Sequence, residues 1–130
     1  MRSIVSRIVL AAAGALLAFI GMALLVAPIG FLEASSVPIE ANPSLLSELS
    51  APSGLLLLSG SVMLWGTVVP RWTGFGLLVG ATVYGTYGLS RLIGFLAHGL
   101  PSNSLIVAAM LELGVALLLL GFGRRQSPLS

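Results

Sequence analysis

An all-α transmembrane fold is predicted for this chain: an up-down four-helix bundle, both termini cytoplasmic, with a short interfacial helix before the second span. Three observations predict it. Only 8% of the 130 residues are charged and 57% are hydrophobic, whereas a water-facing domain carries about a quarter charged. Four apolar stretches follow one another along the chain, each near the ~20 residues that cross a hydrocarbon core of ~30 Å. The arginines outside these stretches, Arg2, Arg7, Arg71, Arg124 and Arg125, all fall on one side once the stretches are threaded alternately. At this length a single domain, 1–130, is expected.

The first span covers about 7–27 and ends at Pro28. A cleaved signal peptide shares its basic start, but the apolar run exceeds the ~7–15 residues of such a segment, so a retained span is expected. The connection over 26–50 is the longest. It has no arginine or lysine and carries Glu33, Glu40 and Glu48. Within it, Asn42 and Pro43 read as an N-cap followed by proline at the first helical position. Leu45, Leu46 and Leu49 then share one face of a short amphipathic turn. Pro52 is expected to kink or restart the helix, because its ring and missing N–H disrupt the preceding turn.

The second span covers about 51–69, the third about 72–97 and the fourth about 104–122. Pro70-Arg71-Trp72 makes the inner connection, where Trp72 and Trp65 suit an interfacial belt. The outer connection, His98 to Asn103, again lacks basic residues other than the histidine. The positive-inside rule therefore places both ends in the cytoplasm. Short connections make consecutive helices antiparallel neighbours.

Small residues mark where helices approach. Gly76 and Gly80 form a GxxxG, and Ala81–Gly85, Ala11–Ala15 and Gly14–Ala18 are further pairs at the same spacing. Lipid gives helices no hydrophobic reason to associate, so close backbone contact carries more of the packing. Intramolecular packing is the first reading of these pairs and a homo-oligomer interface the second.

Two charges lie deep in apolar runs, Arg91 and Glu112. Each costs about 2.5–3.5 kcal/mol at a span centre on insertion scales, so a partner is required. Arg91 lies seven residues before the outer end of the third helix, ~10 Å at 1.5 Å per residue, and Glu112 nine residues after the outer start of the fourth, ~13 Å. Opposite charges at similar depth on antiparallel neighbours predict a salt bridge. Gly80, Tyr84, Tyr87, Gly88, Arg91 and His98 fall along one side of the third helix, and Ala108, Glu112 and Ala116 form a stripe on the fourth. Glu48 is a third carboxylate within reach if its helix start dips inward. The candidate polar cluster is therefore Glu48, Tyr84, Tyr87, Arg91, His98 and Glu112, and it serves either helix register or ligand binding.

Several classes are disfavoured. There is no cysteine, no aspartate and one histidine, His98, so neither a metal site nor haem or iron–sulfur ligation is expected, and no cofactor. The scattered arginines form no basic stripe for nucleic acid. No GxSxG, P-loop, HExxH or strand-borne glycine motif appears, so an enzyme is not expected. The first functional reading is a structural or accessory membrane protein that packs with itself or a larger membrane partner. The alternative is a protein that binds or moves a small anionic, quinone-like or lipid ligand, or protons, at the outer-half cluster.

The segments 42–54 (NPSLLSELSAPSG), Gly88-Leu89-Ser90-Arg91, Gly99-Leu100-Pro101-Ser102 and Leu111-Glu112-Leu113 resemble a family of small bacterial four-span membrane proteins known as domain of unknown function 4345. More distantly the chain looks like DoxX-type four-helix proteins. The resemblance covers nearly the whole chain. It implies the four-span fold, a bacterial inner-membrane setting, and a shared cluster at Glu48, Arg91, Pro101-Ser102 and Glu112. It implies no activity. The family often has Arg-Ala after the glutamate and an aromatic-Gly-Gly further on, where this chain has Leu49-Ser50-Ala51-Pro52-Ser53-Gly54.

Overall fold

Long unbroken apolar runs leave the backbone one economical way to satisfy its own polar groups, which is to bond them within helices. A computed structural model describes residues 2–37 and 42–125, and among them the helices are α1 (Arg2–Val26), α2 (Pro28–Ala34), α3 (Pro43–Val68), α4 (Thr73–His98) and α5 (Asn103–Arg125). A 3-10 turn over Pro70–Trp72 joins α3 to α4. Helix α1 packs along α3, α3 against α4, and α4 along α5.

Three of these helices, over Ile4–Val26, Pro43–Val68 and Asn103–Arg124, are long and apolar enough to cross a membrane. The expectation of four such segments is corrected at α4. It matches α3 in length at 26 residues, but Arg91, Tyr84, Tyr87, its threonines and its many glycines dilute its hydrocarbon content. Helix α4 nevertheless packs on two sides, against α3 and α5, with Thr73, Gly76, Gly80, Tyr84 and Gly88 buried. Outward surfaces are hydrocarbon: Leu58, Leu78, Leu96, Val107 and Leu117 are each more than half exposed.

Two expectations about the long connection are also corrected. Asn42 caps as expected, its Oδ1 accepting from Leu45 N at 2.8 Å. The helix it starts does not stop or restart, however, but runs through Pro52 to Val68 as one element. The short interfacial helix and the second span are therefore one helix. Proline is tolerated where close neighbours support the interrupted turn, and Gly21 of α1 packs on the backbone there, a Cβ on it lying 2.8 Å from Ser53 O. On either side of Pro52, Ser50 Oγ donates to Leu46 O at 2.8 Å and Ser53 Oγ to Leu49 O at 2.6 Å. The second correction is α2, a helix where only loop was expected. Pro28 occupies its first turn, and its end closes by Ser36 N bonding Glu33 O and Val37 N bonding Leu32 O. That is a Schellman arrangement with Ser36, at φ 63°, in the left-handed position usually held by glycine. Glu33 is exposed; Glu40 lies outside the described residues.

The α1–α3 contact is the tightest in the molecule. A Cβ built on Gly60 would lie 2.5 Å from Ala18 N and 2.7 Å from Gly14 O, and one on Gly21 would lie 2.6 Å from Leu57 N. These are backbone atoms that cannot rotate away. The Gly14–Ala18 spacing thus meets Gly60 of α3. The core that grows from this contact joins Leu10, Ala13 and Leu17 of α1 to Leu56 and Met63 of α3, Leu77 and Tyr84 of α4, and Ala116 and Leu119 of α5.

Polar ties close both ends. At the Arg71 end, Arg7 Nε donates to Thr67 O at 2.9 Å and Thr73 Oγ1 to Gly66 O at 2.6 Å. At the α2 end, Ser102 Oγ donates to Ser35 O at 3.3 Å, linking the α4–α5 connection to α2.

Gly60→Ala is expected to cost at least about 1–3 kcal/mol, the usual range for overpacking, because only helix separation relieves the clash. Gly114→Ala, with nothing within 4 Å of its Cβ position, is expected to be neutral or stabilising, since alanine is the better helix former. Thermal unfolding of both variants in one mild detergent checks the contrast; equal midpoints would contradict it.

Candidate functional site

Beneath α2 the helices do not close completely. They leave a chamber of about 290 Å³, near the lower end of small-molecule sites. Leu16, Leu17, Ile20 and Leu24 of α1 form one wall, and Leu49 and Leu56 of α3 another. Phe31, Leu32, Ser35 and Val37 cover the end. The Schellman closure of α2 links Val37 N to Leu32 O, and both residues line the chamber. The remaining wall carries the polar groups: Tyr84, Tyr87 and Arg91 of α4, with Ser104, Leu105, Ala108, Leu111 and Glu112 of α5.

Arg91 and Glu112 form the predicted salt bridge. Nε lies 2.6 Å from Oε1 and Nη2 lies 3.5 Å from Oε2, so the guanidinium meets the carboxylate along one edge. The side chains keep 31% and 15% of their exposure. No other ion pair occurs among the described residues. Local sequence explains the reach. Gly88, one turn before Arg91, is so close to α5 that a Cβ there would lie 2.6 Å from Leu113 Cγ. That contact draws the two helices together beside the pair. Edge-on Arg–carboxylate contacts are directional as well as strong, so the pair is one of the contacts that orient α4 against α5.

The other candidates divide. Tyr84 lines the chamber but its hydroxyl is engaged, donating to Ala13 O of α1 at 2.6 Å, and the residue is buried. It works as a strut between α4 and α1. Tyr87 also lines the chamber, is only partly buried, and its hydroxyl has no hydrogen-bond partner among the described residues. Glu48 and His98 are not brought into the cluster. Glu48 is exposed and makes no bond to Arg91; because the helix runs straight through Pro52, Leu49 takes the chamber-facing position. His98 is the last residue of α4, exposed, beyond the chamber wall.

The packing candidates are all turned toward neighbours within the chain. Gly76 faces Leu10 and Met63, Gly80 faces Met63 and Leu119, and Gly85 faces Ala116. Ala81 packs against the core. Among the described residues no group of three or more histidine, aspartate or glutamate side chains converges as a metal site would require.

Sequence reading missed the apolar walls and the α2 cover. The available signal was Pro28 followed by Ile29, Phe31 and Leu32, a first-turn proline ahead of apolar residues in a connection otherwise read as solvated. Nothing in the linear pattern distinguishes Leu16 or Ile20, which face the chamber, from leucines that face outward.

No curated protein and no solved structure matches this chain significantly. A family model described as Domain of unknown function (DUF4345) matches residues 5–122. With nearly all of its helical framework inside that match, the chain belongs to the DUF4345 family.

Proposed function

We propose that this protein is a four-span membrane protein that holds a small amphiphilic molecule, lipid- or quinone-like, in the chamber beneath α2, and that it acts by binding rather than by catalysis. In this reading α4 is the fourth span, the arginine-bearing end faces the cytoplasm, and the four long helices form an up-down bundle in a bacterial inner membrane. The chamber then opens toward the outer half of the bilayer.

The observation that carries the reading is a salt bridge in the wall of a mostly apolar chamber, where only Tyr84, Tyr87, Ser35 and Ser104 add further polar atoms. An apolar volume with a few convergent polar groups is the usual form of a small-molecule site. Ionisable groups placed among hydrocarbon are costly unless they serve register or function. The fourth span is supported by its 26-residue length and by the inward placement of Tyr84 and Tyr87. A second reading, a structural or accessory protein, is favoured by the pair itself, since Arg91–Glu112 joins α4 to α5 and would serve as a register device without any ligand.

Double replacement separates the two. Arg91→Leu or Glu112→Leu alone leaves one charge without its partner and is expected to cost about 3 kcal/mol, the low end for buried pairs because Arg91 keeps some exposure. The double Leu variant is expected to recover most of that stability and to have lost the co-purifying amphiphile. A double variant that still carries the amphiphile would leave the pair a register device.

Filling the chamber is an independent test. Ala108→Phe places a ring in the chamber wall and is expected to abolish a stoichiometric small amphiphile detected by mass spectrometry of protein purified in mild detergent. Wild-type protein carrying none, or a variant carrying as much, would defeat the binding reading.

The chain has no cysteine, so single-cysteine labelling of intact cells reports sidedness directly. Ser36→Cys and Leu100→Cys are expected to react with an impermeant reagent and Trp72→Cys only after permeabilisation. Trp72→Cys and Leu100→Cys reacting from the same side would show that α4 does not cross.

A further inference from the structure

The charge balance of the chamber selects among amphiphiles, which deepens the binding reading and rests on it. Arg91 and Glu112 neutralise each other at 2.6 Å, so the wall presents an ion pair of zero net charge. A carboxylate or phosphate headgroup entering beside them would bring a negative charge next to Glu112 with no uncompensated cation to meet it. Burying such a charge among hydrocarbon walls is costly. An ammonium headgroup would meet the same difficulty beside Arg91.

An uncharged hydrogen-bond acceptor meets neither. Arg91 is a fork of five N–H donors. Glu112 engages Nε and Nη2, while Nη1 bonds no protein acceptor among the described residues. The Tyr87 hydroxyl likewise bonds none. The two residues stand four apart on α4, hence on one face, and both line the chamber. Tyr84 is not available, because Ala13 O holds its hydroxyl. Tyr87 and Arg91 thus place hydrogen-bond donors in the same wall, and Leu16, Ile20, Leu24 and Phe31 supply a surface for a hydrocarbon chain.

We infer that the chamber takes an uncharged amphiphile whose headgroup is a carbonyl, with the carbonyl oxygen accepting from the Tyr87 hydroxyl and the free edge of the Arg91 guanidinium. The volume admits the headgroup and a short length of chain, so the remainder of a longer chain lies outside, toward lipid.

Three probes of one chain length test this on the intact protein in lipid nanodiscs: undecan-2-one labelled with carbon-13 at the carbonyl, undecanoate and undecane. The ketone is expected to bind about tenfold more tightly than undecane, the contribution of one hydrogen bond from a charged donor, and its carbonyl resonance to move downfield on binding. Tyr87→Phe is expected to reduce the ketone's affinity severalfold and shrink that shift while leaving undecane binding unchanged. Undecanoate binding at neutral pH as tightly as the ketone would overturn the uncharged headgroup. A ketone no tighter than undecane, or a shift untouched by Tyr87→Phe, would overturn the carbonyl subsite; in these cases the chamber remains a binding site. If none of the three probes binds, the binding reading falls with the inference.

Discussion

Hydrocarbon on the outside of a helical protein changes what holds its inside together. The exposed faces of this chain carry Leu58, Leu78, Leu96 and Leu117, so burying further leucines gains little when the surroundings are themselves apolar. Close contact and internal hydrogen bonds then carry the packing. Both are concentrated where the structure needs them. Gly14, Gly21 and Gly60 let α1 and α3 meet backbone to backbone. Polar side chains turn inward to carbonyls, Thr73 to Gly66 and Tyr84 to Ala13, and Arg7 ties to Thr67 at the surface.

The chamber follows from the same constraint. Helices α1 and α3 are drawn together by glycines, and α4 and α5 by Gly88 against Leu113 and Gly85 against Ala116. The two tight pairs are joined chiefly through α3 and α4. Met63, Leu77 and Leu119 are fully buried in the core between them. Toward α2 the walls are formed by Leu16, Ile20 and Leu49, with the Arg91–Glu112 pair in the wall of α4 and α5. Helix α2 finishes the enclosure from a connection that would otherwise leave the end open, tied to the α4–α5 turn by Ser102.

Much of this was legible along the chain. The helical framework, the Asn42 cap, the small-residue contacts at Gly14–Ala18 and Gly76–Gly80, and the Arg91–Glu112 pair each follow from local rules: run length, capping chemistry, spacing of small residues and matched depth of opposite charges. Pro52 does not restart the helix, because α1 packs closely on that turn through Gly21. Glu48 was within reach only if its helix start dipped inward; instead it is exposed and Leu49 lines the chamber.

The amino-acid sequence alone determined that the chain is helical, that its few embedded charges must pair, and that Gly14, Gly76 and Gly80 would sit at crossings, because each depends on composition or on residues one to a few turns apart; that Gly21, Gly60 and Gly88 make the closest approaches was decided by the tertiary structure. The tertiary structure decided which leucines face a chamber and which face outward, whether Tyr84 or Tyr87 keeps a free hydroxyl, and that a seven-residue helix covers the open end. Those outcomes depend on the relative rotation of helices distant in sequence. Rotation is set by many weak contacts acting together, and no single stretch of the chain records their sum.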